Sequence, residues 1–295
     1  MEKEKVIYAL GCFDGVHLGH QALLQACREL AEKHGCKAGA LTFHPHPEAL
    51  LLGKAPKLIN TIEDRRQLLY GYGAEMIWEM PFDEDVKNAS WSDFLSLLLN
   101  VDAAGFVCGS DFRFGAGGEG TAEKLAVFCQ EKNLPYAVVP QQELQGVRVS
   151  SSHIRKLLEA GDVYNAGEFL GHGHLLTGKV VAGKGLGHTI GIPTANLEVP
   201  EGILLPKNGV YASAVVKEEN SYWALTNVGS CPTVDGEKVT VESWLMDFDG
   251  DLYGEEITLM FIWYLRPEQK FDTLEDLKAQ IRKDKEELRK IFTEQ

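Results

Sequence analysis

His17 and His20 stand three residues apart in the stretch GCFDGVHLGH, Gly11 to His20. The short apolar run Val6–Leu10 precedes it, and Leu23, Leu24, Ala26, Cys27, Leu30 and Ala31 follow at helical spacing. The stretch therefore reads as a strand-to-helix turn with imidazoles at the helix start. Free amides there, together with the positive end of the helix dipole, attract an anion. Side chains three apart on a helix share a face. Two imidazoles beside an amide cradle can steady the phosphates of a nucleotide while charge moves between them. Gly11, Phe13 and Asp14 complete the turn and belong to the same nucleotide-binding reading.

A second constellation has the same chemistry. RVSSSHIR (Arg148–Arg155) opens a helical pattern, so Ser151 and Ser152 with Arg148 and Arg155 make an anion site at a helix N-terminus. GSDFRFG (Gly109–Gly115) follows an apolar strand candidate. Further along, GKVVAGKG (Gly178–Gly185) is almost a phosphate-binding loop, but Gly185 stands where a Ser or Thr would hold magnesium, and no helix follows. The glycines instead lead into GKGLGHTIGIPTAN (Gly183–Asn196), where Gly183 and Gly187 supply flexible backbone for nucleotide or flavin binding. Thr194 and Asn196 lie two apart, so in extended chain their side-chain oxygens point to one side and can share a hard cation.

Composition limits the partners. The 295 residues carry a net charge of −14, divided evenly at residue 170 into −7 on each side. Neither half has the broad basic surface that nucleic acid or an anionic membrane demands, so an anion site must be local. The six cysteines form no CxxC pair and no zinc spacing, which reads as reduced thiols in a cytoplasmic protein. The start MEKEK has no apolar signal core behind it, and no run reaches membrane-span length.

The elements that must position these residues come in two rhythms. Through residue 170, strand candidates (Val6–Leu10, Ala38–Phe43, Met76–Met80, Gly105–Cys108, Tyr136–Val139) alternate with helical patterns (Gln21–His34, Ile62–Tyr70, Trp91–Leu99, Ala122–Glu131, Ser152–Glu159). This predicts an α/β, Rossmann-like, doubly wound domain over 1–170, with ligands bound beyond the strand C-termini. Residues 171–295 carry short strand candidates at Leu175–Val181, Gly209–Val216, Tyr222–Asn227, Val239–Phe248 and Ile257–Leu265. They predict a small antiparallel β-barrel domain. A C-terminal helix follows, capped by Thr273, with Leu274, Leu277, Ile281 and Leu288 as its apolar stripe.

GCFDGVHLGH, FHPHP (Phe43–Pro47), GSDFRFG and RVSSSHIR, in that order, resemble the adenylyltransferase half of the bacterial bifunctional riboflavin kinase/FMN adenylyltransferase family, one of the HxGH nucleotidyltransferases. PTAN, TNVGSCPTV (Thr226–Val234), VESWLMDFDGDLYG (Val241–Gly254) and LRPEQKFDTLEDLKAQIRKD (Leu265–Asp284) resemble its riboflavin kinase module. The resemblance implies that His17 and His20 contact ATP phosphates, with Ser151, Ser152 and Arg155 assisting. It places Asp111 and Arg148 among substrate- or nucleotide-binding side chains, and Phe43 to Pro47 near the nucleotide or flavin. It implies that Thr194 and Asn196 bind magnesium-ATP and that Glu242 is the catalytic base; if Glu242 proved dispensable, Asp247 would be the next carboxylate to test. Riboflavin, FMN, FAD and ATP are then the ligands, Mg2+ the cofactor, and the oligomeric state is left open. Cys12, Ser110, His188, Cys231 and Trp244 depart from the usual family residues. Two other readings compete: a flavin sensor with little turnover, and an adenylyltransferase for another phosphate-bearing acceptor.

Overall fold

The computed structural model describes residues 4–183, 192–218, 220–233 and 236–293, with 231–233, 236–238 and 293 in backbone only. By contacts the chain divides into two compact units, Met1–Leu58 with Ile62–Ser151, and Ile59–Thr61 with Ser152–Gln295.

The first unit is built on five parallel strands: β1 (Val6–Leu10), β2 (Lys37–His44), β3 (Met76–Pro81), β4 (Ala103–Gly109) and β5 (Tyr136–Val139). Their order is β3-β2-β1-β4-β5. The chain thus winds one way from β1 to β3 and the other way from β4 to β5, which puts the switch point between β1 and β4. Strand side chains alternate faces. Val6, Tyr8 and Leu10 enter one core with Phe94, Leu98 and Phe128 from helices α5 (Trp91–Leu99) and α6 (Ala122–Glu131). Ile7 and Ala9 enter the other with Leu24 and Cys27 from α1 (Leu18–His34). Burial on both faces is why β1 reads as a continuous apolar run rather than an alternating one.

Three further helices and a hairpin belong to this unit: α2 (Pro47–Leu51), α3 (Ile62–Gly71), α4 (Glu84–Asn88), and β6 (Glu143–Leu144) paired with β7 (Val147–Arg148). Helices α7 (Ser151–Ala160) and α8 (Val163–Leu170) follow. Helix α8 packs on the barrel of the second unit, with the Tyr164 ring 4.9 Å from Trp263.

That barrel is closed, in the order β10-β11-β12-β9-β8-β13. Its strands are β8 (His174–Val181), β9 (Ala195–Leu197), β10 (Gly209–Lys217), β11 (Asn220–Thr233), β12 (Gly236–Leu245) and β13 (Glu256–Arg266). A row of buried hydroxyls crosses three strands. Ser213 on β10 meets Thr226 on β11 at 2.6 Å, and Thr226 meets Ser243 on β12 at 2.8 Å. Helix α9 (Leu274–Thr293) starts where Thr273 accepts the Asp276 amide at 3.1 Å. Leu288 is fully buried with Ala212, Leu225 and Met246, and Trp244 and Ile281 pack against this cluster. Leu274 departs from the predicted buried stripe. It is 48% exposed, because the first turn of α9 stands over an open cavity rather than on the barrel wall.

Candidate active sites

The histidine turn leaves β1 at the switch point, and its backbone is strained there. Phe13, Gly15 and Val16 have φ of 52°, 87° and 39°. Left-handed backbone is free for glycine but costs a residue such as Phe or β-branched Val about 1–3 kcal/mol, so neighbours must hold it. Gln21 Nε2 donates to the Val16 carbonyl at 2.9 Å, Thr42 Oγ1 to that of Cys12 at 2.9 Å, and Ser151 Oγ to that of Asp14 at 2.8 Å. The serine of the second motif is thereby tied to the first. Asp14 is itself buried, with Arg65 of α3 at 4.0 Å from its carboxylate.

His17 is the N-cap of α1: its Nδ1 accepts the His20 amide at 3.3 Å, which leaves Nε2 as the donor of the neutral ring. The two rings stack at 3.7 Å and 10°. Burial, then His17, then Arg65 push the His20 pKa well below the usual 6.5. His20 is therefore a neutral hydrogen-bonding group at neutral pH.

Gly109 ends β4, the strand on the other side of the switch point, and Asp111 two residues later pairs with Arg148. Arg148 reaches it from the β6–β7 hairpin, whose turn residues Gln145 and Gly146 both take positive φ, at 53° and 76°. Both partners are about half exposed, so the pair contributes under about 1 kcal/mol and is easily exchanged for a ligand. Phe43, expected near the nucleotide or flavin, lies in the core at 7% exposure against Phe82 and Phe94. Gly11 and Phe13 are buried in the turn, Ser152 is exposed on α7, and Arg155 is half-buried there.

In the second unit the register of the barrel builds a row. Asn196 on β9 is opposite Glu242 on β12, and Glu242 is opposite Asn227 on β11. Directly opposed residues share a face. Ser243 points to the buried hydroxyl row, so Glu242 and Trp244 point the other way, toward α9. There a cavity of about 500 Å3 is lined by Glu242, Asn227, Glu268, Trp244 and Arg266, with Leu277 of α9 among its walls. A second cavity of about 410 Å3 is lined by Gly183, Asn196, Phe248 and Tyr253. Thr194 lines both. Asn196 Nδ2 donates to the Thr194 carbonyl at 3.4 Å, so Asn196 Oδ1 is the side-chain atom that could meet a cation. Any side chain at Gly183 would collide with the Asn196 carboxamide. Gly187 and His188 lie outside the described residues.

Sequence reasoning did not single out three participants. Asn227 sits inside a quoted motif, and its Nδ2 donates to Glu268 at 3.3 Å. Glu268, Asp272 and Asp284 line the larger cavity with Glu242, and of these Glu268 contacts Asn227; Asp247 occupies an exposed turn with φ of 57°. Arg65 gave no signal, since only the fold brings α3 beneath the turn.

Among the described residues no three His, Cys, Asp or Glu side chains form a metal cluster, and no helix is long and apolar enough to cross a membrane. The FAD synthetase family profile matches residues 1–153 and the riboflavin kinase profile residues 170–292. The bifunctional riboflavin kinase/FMN adenylyltransferase of Bacillus subtilis is 35% identical over 99% of this chain and 94% of its own length. The protein of the same name from Listeria monocytogenes is 32% identical over 97% and 92%. A crystal structure described as a macrolide-efflux protein of Streptococcus pneumoniae superposes with a TM-score of 0.89 at 31% identity, over 98% of this chain and 95% of that one.

Proposed function

The chain belongs to the bifunctional riboflavin kinase/FMN adenylyltransferase family, and on that premise we propose how its residues divide the two reactions. Residues 171–295 phosphorylate riboflavin with ATP to FMN and ADP, and residues 1–170 adenylylate FMN with a second ATP to FAD and pyrophosphate. The observation that carries the kinase assignment is Glu242, facing a flavin-sized cavity that shares Thr194 with a second cavity of nucleotide size.

In the kinase step the riboflavin 5′-oxygen bonds to the γ-phosphorus of ATP as the β–γ bridge breaks. A neutral alcohol must lose its proton as this happens, and Glu242 accepts it. Thr194 and Asn196 hold Mg2+ with ATP. Their donors are hard oxygens, and Gly183 leaves the cradle around Asn196 clear, which fits a small cation kept mainly by phosphates and water. Bound there, Mg2+ supplies neutralisation of the phosphate charge.

In the adenylyl step an FMN phosphate oxygen bonds to the α-phosphorus as the α–β bridge breaks and pyrophosphate leaves. The attacking oxygen is already ionised, so no protein base is needed; holding two anions in line is the task. The Gly11–His17 turn with His20, tied to Ser151 through the Asp14 carbonyl, receives the phosphates. Arg148, released from Asp111, is a further cation for them. Cys27, Cys36, Cys108 and Cys129 form no disulfide, which supports a reducing cytoplasmic setting. The net charge of −14 supports small-molecule rather than nucleic-acid partners.

Chromatography of flavins after incubation with riboflavin, ATP and magnesium tests the reading. FAD is the expected product. FMN alone would leave the first unit idle, and unchanged riboflavin would favour a flavin sensor.

A further inference from the structure

A buried guanidinium beneath the histidine turn has no place in the chemistry described so far. Arg65 is 6% exposed on α3, and its Nε–H has no hydrogen-bond partner among the described residues. His20 Nδ1 is likewise buried without a partner among them. An unmade buried hydrogen bond is costly, so an orphaned donor of this kind calls for a functional explanation. The Asp14 carboxylate lies 4.0 Å from the Arg65 guanidinium, at 2% side-chain exposure. Asp14 lies within the strained turn, and its carbonyl is the acceptor of the Ser151 hydroxyl.

We propose that Arg65 is a positioning residue for adenylyl transfer: from α3 it braces Asp14, and with it the stacked His17–His20 pair that receives the nucleotide. The proposal rests on the reading of this turn as the adenylylation site. Its charge has a second consequence. The charged and titratable groups acting on His20 are His17 from its own turn and Arg65 from α3, and both oppose its protonation. Asp14 of the turn faces Arg65, and Asp64 is the buried carboxylate of α3 itself. A fixed cation here adds to burial, the larger cause, in holding His20 in its neutral donor-acceptor form. A lysine would keep the charge but lose the planar fork.

The test uses the full chain and Arg65→Met and Arg65→Lys, assayed separately for FMN adenylylation and riboflavin phosphorylation. Arg65→Met should lower the kcat of adenylylation by about 10–100-fold, as misplacement of an aligned group does, with a smaller change in KM. The acid limb of its rate profile should move upward in pH, because His20 becomes easier to protonate. Arg65→Lys should recover part of kcat and keep the acid limb near its original place. Riboflavin phosphorylation should be unchanged in both. An Arg65→Met enzyme with unaltered kcat and acid limb would overturn the proposal. So would joint loss of both activities with a lowered Tm, which would assign Arg65 to the folded core. Absence of FAD formation in the unsubstituted chain would instead count against the functional reading itself.

Discussion

Glu242 and His20 differ in what substitution should remove. Glu242→Gln nearly keeps shape and hydrogen bonding but cannot accept a proton, and loss of a general base costs about 10²–10⁴ in rate. Riboflavin phosphorylation should fall by that factor while adenylylation of supplied FMN is almost unchanged; quantifying FMN and FAD in parallel reactions checks this. Near-normal phosphorylation would move the assignment to Glu268, which shares the cavity and the Asn227 contact. His20 predicts a pH effect on stability. Its folded pKa is lowered, so below its unfolded value of about 6.5 the unfolded chain binds more protons. The contribution of the neutral ring is complete above about 6.5 and is lost as pH falls below it. Thermal unfolding followed from about pH 7.5 to about 5.5 should show a falling Tm, and His20→Gln should flatten that fall. An identical slope in the variant would refute the linkage. At this scale the sequence was informative about residue types, as with His17, His20 and Glu242. It was silent on pairings such as Asp14–Arg65, because nothing periodic connects a turn to a helix some fifty residues later.

Elements were readable where an apolar run and its limits coincide. The bounds of β1, β5, α5 and α6 match the apolar and capping pattern because each spans one apolar pattern and stops at a polar or turn residue. Strand β11 runs further than its apolar pattern, and β12 is shifted, starting at Gly236 rather than Val239 and ending at Leu245 rather than Phe248, since their hairpin continues by backbone pairing past Gly229 and Ser230. Strand β9 has three residues, too few for any period to register, yet it carries Asn196. What aligns it is the neighbouring register, and the hydroxyl row Ser213–Thr226–Ser243 fixes that register. A slip of one residue would turn Glu242 inward and Ser243 outward. Thr226→Val keeps shape but leaves two buried hydroxyls without their bridge, at a cost of about 1–3 kcal/mol. For a unit of this size that is a Tm loss of about 4–12 °C, measurable by calorimetry. Thr226→Ser should recover most of it. An unchanged Tm in Thr226→Val would show that the row does not hold the strands.

Across the whole chain, two units with their own cores and sites predict separable chemistry. His20→Ala should stop FAD formation while FMN accumulates from riboflavin; equal loss of both in a folded variant would show that the reactions are assigned to the wrong units. The two rhythms of the sequence anticipated this plan, because parallel strands buried on both faces and barrel strands separated by turns leave different hydrophobic signatures. The closed barrel has a consequence for the behaviour of the chain while it is being made. Closure leaves the six barrel strands no unpaired rim to template another chain. Open rims among the described residues belong to the first unit, which emerges earliest from the ribosome. There they are blunted: β3 ends at Pro81 with Glu79 held by Arg66 at 2.7 Å, and the four residues of β5 lie between Pro135 and Pro140. Aggregation during synthesis is thus opposed by proline and charge in the first half, and by geometry in the second.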